Sequence, residues 1–375
     1  MVKAWLRTRS RRAIAVADMS SLDQLIRPEI RALRAYHVQD ASGMIKLDAM
    51  ENPYALPESL RGEIARIAAD APYNRYPDAS AEALKSSLRA TFSIADKHAI
   101  VLGNGSDELI LLLAMLMAKP GAVMLGVEPS FVMYRMIATF VGMRYASLDL
   151  GADFSLPRDA LLQAIEREQP ALIFLAYPNN PTGNSFSAAD IETIVKNAPG
   201  LVVIDEAYHP FAQKSFLDRL PDYDNLLVMR TLSKLGLAGL RVGFVAGAAN
   251  ILDQLEKLRL PYNINVLSQR IAACVLDHYA AVEQQAAQIR ADRAHLMAAL
   301  AALDGVECFT SETNFILIRV ENADAVHEKL KKSRILIKNL NGSHALLHNC
   351  LRITVGTPDE NKALVDALRS ALTVN

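Results

Sequence analysis

Between residues 100 and 250 the chain alternates short, uninterrupted apolar runs with longer stretches of helical period. The runs are Ile100 to Leu102, Ala122 to Val127, Ala171 to Leu175, Leu201 to Ile204, Leu226 to Met229 and Val242 to Val245. Runs that are apolar throughout, rather than alternating, suit strands buried on both faces of a largely parallel sheet. The pattern therefore predicts an α/β sandwich, a mostly parallel sheet between layers of helix. Residues 267 to 303, rich in Ala, Gln and Arg and free of proline, read as one long helix leading to a second domain. Beyond it, shorter strands (Phe315 to Val320, Ile335 to Ile337, Leu351 to Val355) alternate with helices (Asn322 to Lys332, Pro358 to Leu372), an α+β pattern. Residues 20 to 60 are loop-rich, with prolines at 28, 53 and 57 and a short extended piece, Met44 to Leu47. The expected organisation is an extension over 1–20, an arm with part of the small domain over 21–60, a large domain over 61–265 and a smaller one over 266–375.

Composition narrows the function classes. At 375 residues, 51% hydrophobic and 22% charged with a net charge of -1, the chain reads as a soluble globular protein with no polyanion partner, so nucleic acid is not expected. The longest strongly apolar run, Leu109 to Ala118, is too short to span a bilayer. Cys274, Cys308 and Cys350 are widely spaced with no CxxC, which indicates neither a disulfide framework nor a zinc motif and suggests a reducing, cytoplasmic setting. His344 and His348 stand four apart without an accompanying carboxylate and are not read as metal ligands. Residues 1 to 18 differ in kind: Lys3, Arg7, Arg9, Arg11 and Arg12 precede any acid. They read as a disordered extension, or as an upstream start with Met19 the functional beginning; organelle targeting is the alternative.

Candidate chemistry gathers at predicted strand ends, where ligands of open α/β sheets bind. Gly103-Asn104-Gly105-Ser106-Asp107-Glu108 follows one strand and opens a helix with Ser106 as N-cap, reading as a plain capped turn or as a helix N-terminus that holds an anion such as phosphate. Asp205 ends the run from Val202 and is either a structural cap or a partner for a protonated ring nitrogen; Tyr208, one helical turn on, could reach the same ring. Tyr177 to Gly183 is stiffened by two prolines, which can aim the Asn180 amide at a ligand. Lys234 follows the run Leu226 to Met229, with Ser233 before it and Gly236, Gly239 and Arg241 after. It is either a solvated loop lysine or a desolvated amine able to form Schiff bases with carbonyl compounds. Arg352, in the alternating run Leu351 to Val355, points away from the core, as a surface salt bridge or as a fork for carboxylate or phosphate. Taken together, these parts ask for a ligand with an aldehyde, a phosphate and a basic ring nitrogen, namely pyridoxal 5'-phosphate.

From about Leu22 to Leu372 the chain resembles the fold-type I pyridoxal-phosphate aminotransferases, and among them the histidinol-phosphate subfamily. The resemblance rests on Met50-Glu51-Asn52-Pro53, Arg75-Tyr76-Pro77-Asp78, Gly103 to Glu108, Pro129-Ser130-Phe131, Pro178 to Gly183, Asp205 to Tyr208, Arg230 to Lys234, Ala238 to Arg241 and Cys350 to Thr357. It implies that Lys234 carries the cofactor and acts as catalytic base, and that Asp205 pairs with the ring nitrogen. Asn180 and Tyr208 would bind the ring hydroxyl, Phe131 would stack on the ring, and Ser106, Asp107, Ser233 and Arg241 would hold the phosphate. It further implies a homodimer with shared sites, in which Tyr76 reaches the neighbouring subunit's cofactor phosphate and also meets substrate. Arg352, Asn180 and Tyr36 complete the substrate site, and the substrates are histidinol phosphate, glutamate and 2-oxoglutarate. Phe131 stands where many relatives have Tyr, Met50 replaces a common Asn, and the Lys234–Arg241 segment is one residue shorter than in some members. An aromatic aminotransferase, a threonine-phosphate decarboxylase and a non-catalytic binding protein are the rival readings.

Overall fold

The computed structural model describes residues 24–35 and 38–373. The chain divides into two compact units, Met1–Gln39 and Asp40–Asn375. In the first, the described residues include a single helical turn, Pro28–Arg31. The second unit contains two sheets and everything that follows.

Its larger sheet has seven strands: β2 (His98–Gly103), β3 (Val123–Glu128), β4 (Arg144–Asp149), β5 (Leu172–Ala176), β6 (Leu201–Asp205), β7 (Leu226–Thr231) and β8 (Gly243–Ala248). They lie in the order β2-β8-β7-β6-β5-β3-β4. The β3, β4, β5, β6 and β7 pairings are parallel, while β8 runs antiparallel to both its neighbours. Alternate side chains enter separate cores: Val202 and Ile204 of β6 pack on one face, Leu201 and Val203 on the other. A strand buried on both faces has no polar position to alternate with, which is why these segments are continuously apolar. β4 is the exception. It is an edge strand with no fully buried residue, and its mixed sequence gave no such run.

The smaller sheet has the order β1-β11-β12-β10-β9, with β1 (Ile45–Leu47), β9 (Val306–Cys308), β10 (Phe315–Val320), β11 (Ile335–Asn339) and β12 (Cys350–Thr354). β1 pairs in parallel with β11, so the chain before the large sheet supplies an edge strand to the sheet formed after it. The final helix, Pro358–Leu372, starts at a capping box in which Thr357 and Glu360 satisfy each other's backbone N–H. The single helix expected over 267 to 303 is two, Val266–Asp277 and Tyr279–Ala301, separated at His278 by a backbone excursion to φ -111°, ψ 32°. No proline or glycine marks the break. Among the described residues, no helix is long and apolar enough to cross a membrane.

Candidate active site

The register of the large sheet sets Gly103, Ala176, Asp205 and Thr231 at one edge, where β8 begins at Gly243. A cleft of about 240 Å³ opens there, a little below the usual range of about 300–1,000 Å³ for drug-sized ligands. It is lined by Ser106, Asp107, Phe131, Asn180, Asp205, Tyr208, Ser233, Lys234 and Arg241, which come from six separate segments, and on its other side by Ala49, Met50 and Glu51.

The start of the helix Ser106–Met117 forms one end. The cap position belongs to Gly105, at φ 84°, and not to Ser106 as expected; Ser106 is the first helical residue and makes no capping bond. A Cβ on Gly105 would lie 2.6 Å from Nη2 of Arg241, and one on Gly243 would lie 2.8 Å from the Ser106 nitrogen. At Gly243 the neighbouring backbone leaves no room for a side chain, whereas at Gly105 an added carbon would push the guanidinium aside and the positive φ itself favours glycine. The Arg241 guanidinium rests directly against the helix N-terminus, 3.5 Å from the Asp107 carboxylate, and Arg241 holds a left-handed backbone, φ 53°. Free N–H groups at a helix start, with a guanidinium and the hydroxyls of Ser106 and Ser233 in the same cleft, make an anion cradle.

Asp205 lies in the floor. Its Oδ2 accepts from the Tyr134 hydroxyl at 2.7 Å and its Oδ1 from the Ala207 N–H at 3.1 Å. Burial is the dominant influence and raises its pKa from 3.8 to about 6, against the lowering effect of these two bonds. Tyr134 was not singled out in the sequence. It sits in the apolar helix Met133–Val141, fully buried and stacked on Phe174, and reads there as core. Asp205 is also held through its neighbour: Glu206 forms a buried ion pair with Arg230, 2.8 Å, which ties the ends of β6 and β7.

Lys234 occupies a one-turn 3-10 segment, Ser233–Leu235, just beyond β7. Its Nζ donates to the Ala49 carbonyl at 3.3 Å and lies 5.8 Å from the centre of the Tyr208 ring. Desolvation first, and then the nearby Arg352 charge, lower its pKa from 10.5 to about 8. It is not a solvated loop lysine. Ser233 is buried against Thr231, with hydroxyls 2.8 Å apart.

Asn180 is buried, and its Oδ1 accepts from Arg352 Nη1 at 2.5 Å. The adjoining Asn179 fastens the loop, donating to the Pro129 carbonyl and to Thr182 and accepting from Ser130. Phe131, carried on the loop so tied, faces the cleft and meets Tyr134 edge-on. Arg352 is no surface ion pair. The face of β12 opposite Leu351, Ile353 and Val355 is buried too, and Nη2 of Arg352 donates to the Asp48 carbonyl at 3.0 Å. Its guanidinium meets Asn180, which lines the cleft, and its charge acts on Lys234. Tyr76 stands apart from the cleft: it is 80% exposed and stacked on Tyr262, with rings 4.6 Å apart. Tyr36 lies outside the described residues.

A desolvated amine, a buried carboxylate and an anion cradle share one cleft, and a Cβ at Gly105 would obstruct the cradle. The residues present thus fit a phosphorylated ring bearing an aldehyde and a basic nitrogen, pyridoxal 5'-phosphate.

The family model for "Aminotransferase class I and II" matches residues 42–368. The chain is 54% identical over 349 residues to a histidinol-phosphate aminotransferase of Chromobacterium violaceum, covering 93% of this chain and 98% of that protein. It is 49% identical to histidinol-phosphate aminotransferase 2 of Cupriavidus pinatubonensis, covering 96% of this chain and all of the relative. Among solved structures, the histidinol-phosphate aminotransferase of Sinorhizobium meliloti in complex with pyridoxal-5'-phosphate superposes with a TM-score of 0.84 at 24% identity, over 92% of this chain and 97% of that one, which bears on the fold. The chain belongs to the class I and II aminotransferases and, within them, to the histidinol-phosphate aminotransferase family.

Proposed function

We propose that this protein is a pyridoxal-phosphate-dependent transaminase that interconverts L-histidinol phosphate plus 2-oxoglutarate and imidazole-acetol phosphate plus L-glutamate, in histidine biosynthesis. The observation that carries the reading is the placement of Lys234, Asp205 and the Gly105–Arg241 cradle around one cleft, in a chain that shares about half its residues with relatives bearing that activity's name.

When bound, pyridoxal phosphate supplies an aldehyde carbon to take the amino group and a ring to take the electrons released as the substrate's α C–H bond breaks. Lys234 would hold the cofactor through its amine and, once displaced by an amino substrate, would move the proton between the substrate's α carbon and the acceptor carbon. A pKa near 8 suits it to do so at neutral pH. Asp205 would keep a proton on the ring nitrogen; a cationic partner within reach favours the ionised carboxylate that burial otherwise disfavours. The helix start, Ser106, Asp107, Ser233 and Arg241 would bind the phosphate, Asn180 and Tyr208 would orient the ring hydroxyl, and Phe131 would cover a ring face. Arg352, with Asn180 beside it, would receive the substrate's acidic group, carboxylate in one half-reaction and phosphate in the other.

The reading extends to the assembly. The active form would be a cytoplasmic homodimer in which exposed Tyr76 reaches the phosphate site and substrate of the neighbouring subunit. The second unit would work as a large domain, 61–265, and a small one, 266–375, with β1 lent to the latter. Steady-state transamination by Lys234→Ala tests the core of the proposal. Loss of about 10²-fold or more is expected with both substrates, and a rate near wild type contradicts it. Carbon dioxide release from L-threonine phosphate, without any need for 2-oxoglutarate, would instead identify a decarboxylase.

A further inference from the structure

Away from the cleft, the helices Glu58–Ala69 and Val266–Asp277 pack against each other and bring three metal-ligating side chains together. Sγ of Cys274, a carboxylate oxygen of Glu63 and a ring nitrogen of His278 all lie within 4.8 Å of one another. Cys274 and His278 are four apart, so they emerge on one side of the second helix and its C-terminal cap. Glu63 comes from the facing helix, which is why no linear spacing in the sequence marks the group.

The imidazole is already oriented. Nδ1 of His278 lies 2.9 Å from the Cys274 carbonyl oxygen, which fixes that nitrogen as the N–H donor. The other ring nitrogen, Nε2, faces the Glu63 carboxylate, 3.8 Å away, and is the one a cation between them would take. A backbone carbonyl holding the far nitrogen is the arrangement that orients histidines bound to metal. Burial differs across the group in a way that suits an entry path: Cys274 is 8% exposed, while the Glu63 and His278 side chains are 40% and 53% exposed.

The geometry points to a binding site for a borderline divalent cation of the Zn2+ type, held by the Cys274 thiolate, the Glu63 carboxylate and His278 Nε2, and clipping these two helices together. Sulfur, nitrogen and oxygen ligands in one site favour Zn2+ over Mg2+ or Ca2+, which take oxygen. Zn2+–ligand bonds of about 2.0–2.3 Å place tetrahedral ligands closer together than 4.8 Å, so binding requires a small inward shift of flexible side chains. The S–H bond breaks on binding, its proton leaves to solvent, and a water completes the fourth position.

The test uses the full chain with its cofactor and Co2+ as a visible stand-in for Zn2+. Tetrahedral cobalt–thiolate bands are expected at wavelengths longer than the cofactor's absorbance, and added Zn2+ should displace them. His278→Ala, at an exposed position, should weaken Co2+ binding by about 10-fold or more and leave transamination unchanged, and Cys274→Ser should abolish the thiolate band. Because Cys274 is largely buried, a second measurement avoids changing it: Zn2+ should slow alkylation of wild-type Cys274, read by peptide mass, and should not do so in His278→Ala. Absence of tetrahedral bands, bands undiminished in Cys274→Ser, or Cys274 labelling that is indifferent to Zn2+ would each overturn the site.

Discussion

At the scale of single residues, burial decides the chemistry of the cleft. Lys234 and Asp205 are shifted in opposite directions by the same cause, removal from water, which disfavours charge on both. The Asp205 shift has a checkable sign. Its pKa is higher in the folded chain, so the stability it contributes is fully present below pH 3.8 and is lost as pH rises through about 6. Asp205→Asn, which does not ionise, should therefore gain stability relative to wild type across that interval in cofactor-free protein, measured by denaturant unfolding; a difference that does not change with pH would contradict the burial argument. Lys234, Asp205, Asn180 and Tyr208 follow apolar strand runs closely in the sequence, and the fold brings all four to one cleft; Arg241 joins them there, although only the family resemblance gives it a task. Tyr134 was not legible, since a tyrosine in an apolar helix has the same pattern whether its hydroxyl is idle or, as here, donates to Asp205. Arg352 was half legible: alternation assigned its face, but only the packing of β12 shows that this face is covered and that the guanidinium meets Asn180.

At the scale of elements, the turn from β2 into the helix Ser106–Met117 is the most constrained piece. Gly105 combines a positive φ with a near contact to Arg241, whereas Gly121, at φ 79°, has open space where a Cβ would stand. Gly105→Ala, at φ 84° and ψ 171°, a region populated essentially by glycine alone, should cost about 1–3 kcal/mol of stability, and Gly121→Ala, at φ 79°, should cost a comparable amount from backbone strain alone. Only Gly105→Ala should weaken cofactor affinity, because only there does the added carbon displace a guanidinium from the anion cradle. Equal cofactor affinity in the two variants, measured by equilibrium titration, would contradict that role. The central strands were readable as continuous apolar runs. The edge strand β4 and the interruption at His278 were not: an edge strand needs no apolar face, and Ala-rich sequence runs through His278 with nothing to stop a helix.

At the scale of the whole molecule, alternating βα pattern sufficed for the architecture of the large sheet, but the reversed direction of β8 and the lending of β1 to the far sheet are long-range pairings with no local signal. The proposed dimer has a direct consequence. If Tyr76 serves the neighbouring subunit, Lys234→Ala and Tyr76→Ala subunits, each impaired alone, should recover activity when dissociated and reassociated together, because every mixed dimer then contains a site with its own Lys234 and its neighbour's Tyr76. Activity no greater than the sum of the separate variants would place Tyr76 outside the site.

The central claim, that Lys234 and its cleft perform amino transfer with histidinol phosphate, is tested most directly by a single half-reaction. The purified protein saturated with pyridoxal phosphate is mixed with L-histidinol phosphate, without 2-oxoglutarate, and the cofactor's visible absorbance is followed while the products are analysed. The band should bleach with stoichiometric release of imidazole-acetol phosphate and return when 2-oxoglutarate is then added, glutamate should bleach the wild-type band likewise, and Lys234→Ala should release no stoichiometric imidazole-acetol phosphate on the same timescale. A band that glutamate bleaches but histidinol phosphate leaves intact, with no imidazole-acetol phosphate formed, would contradict it.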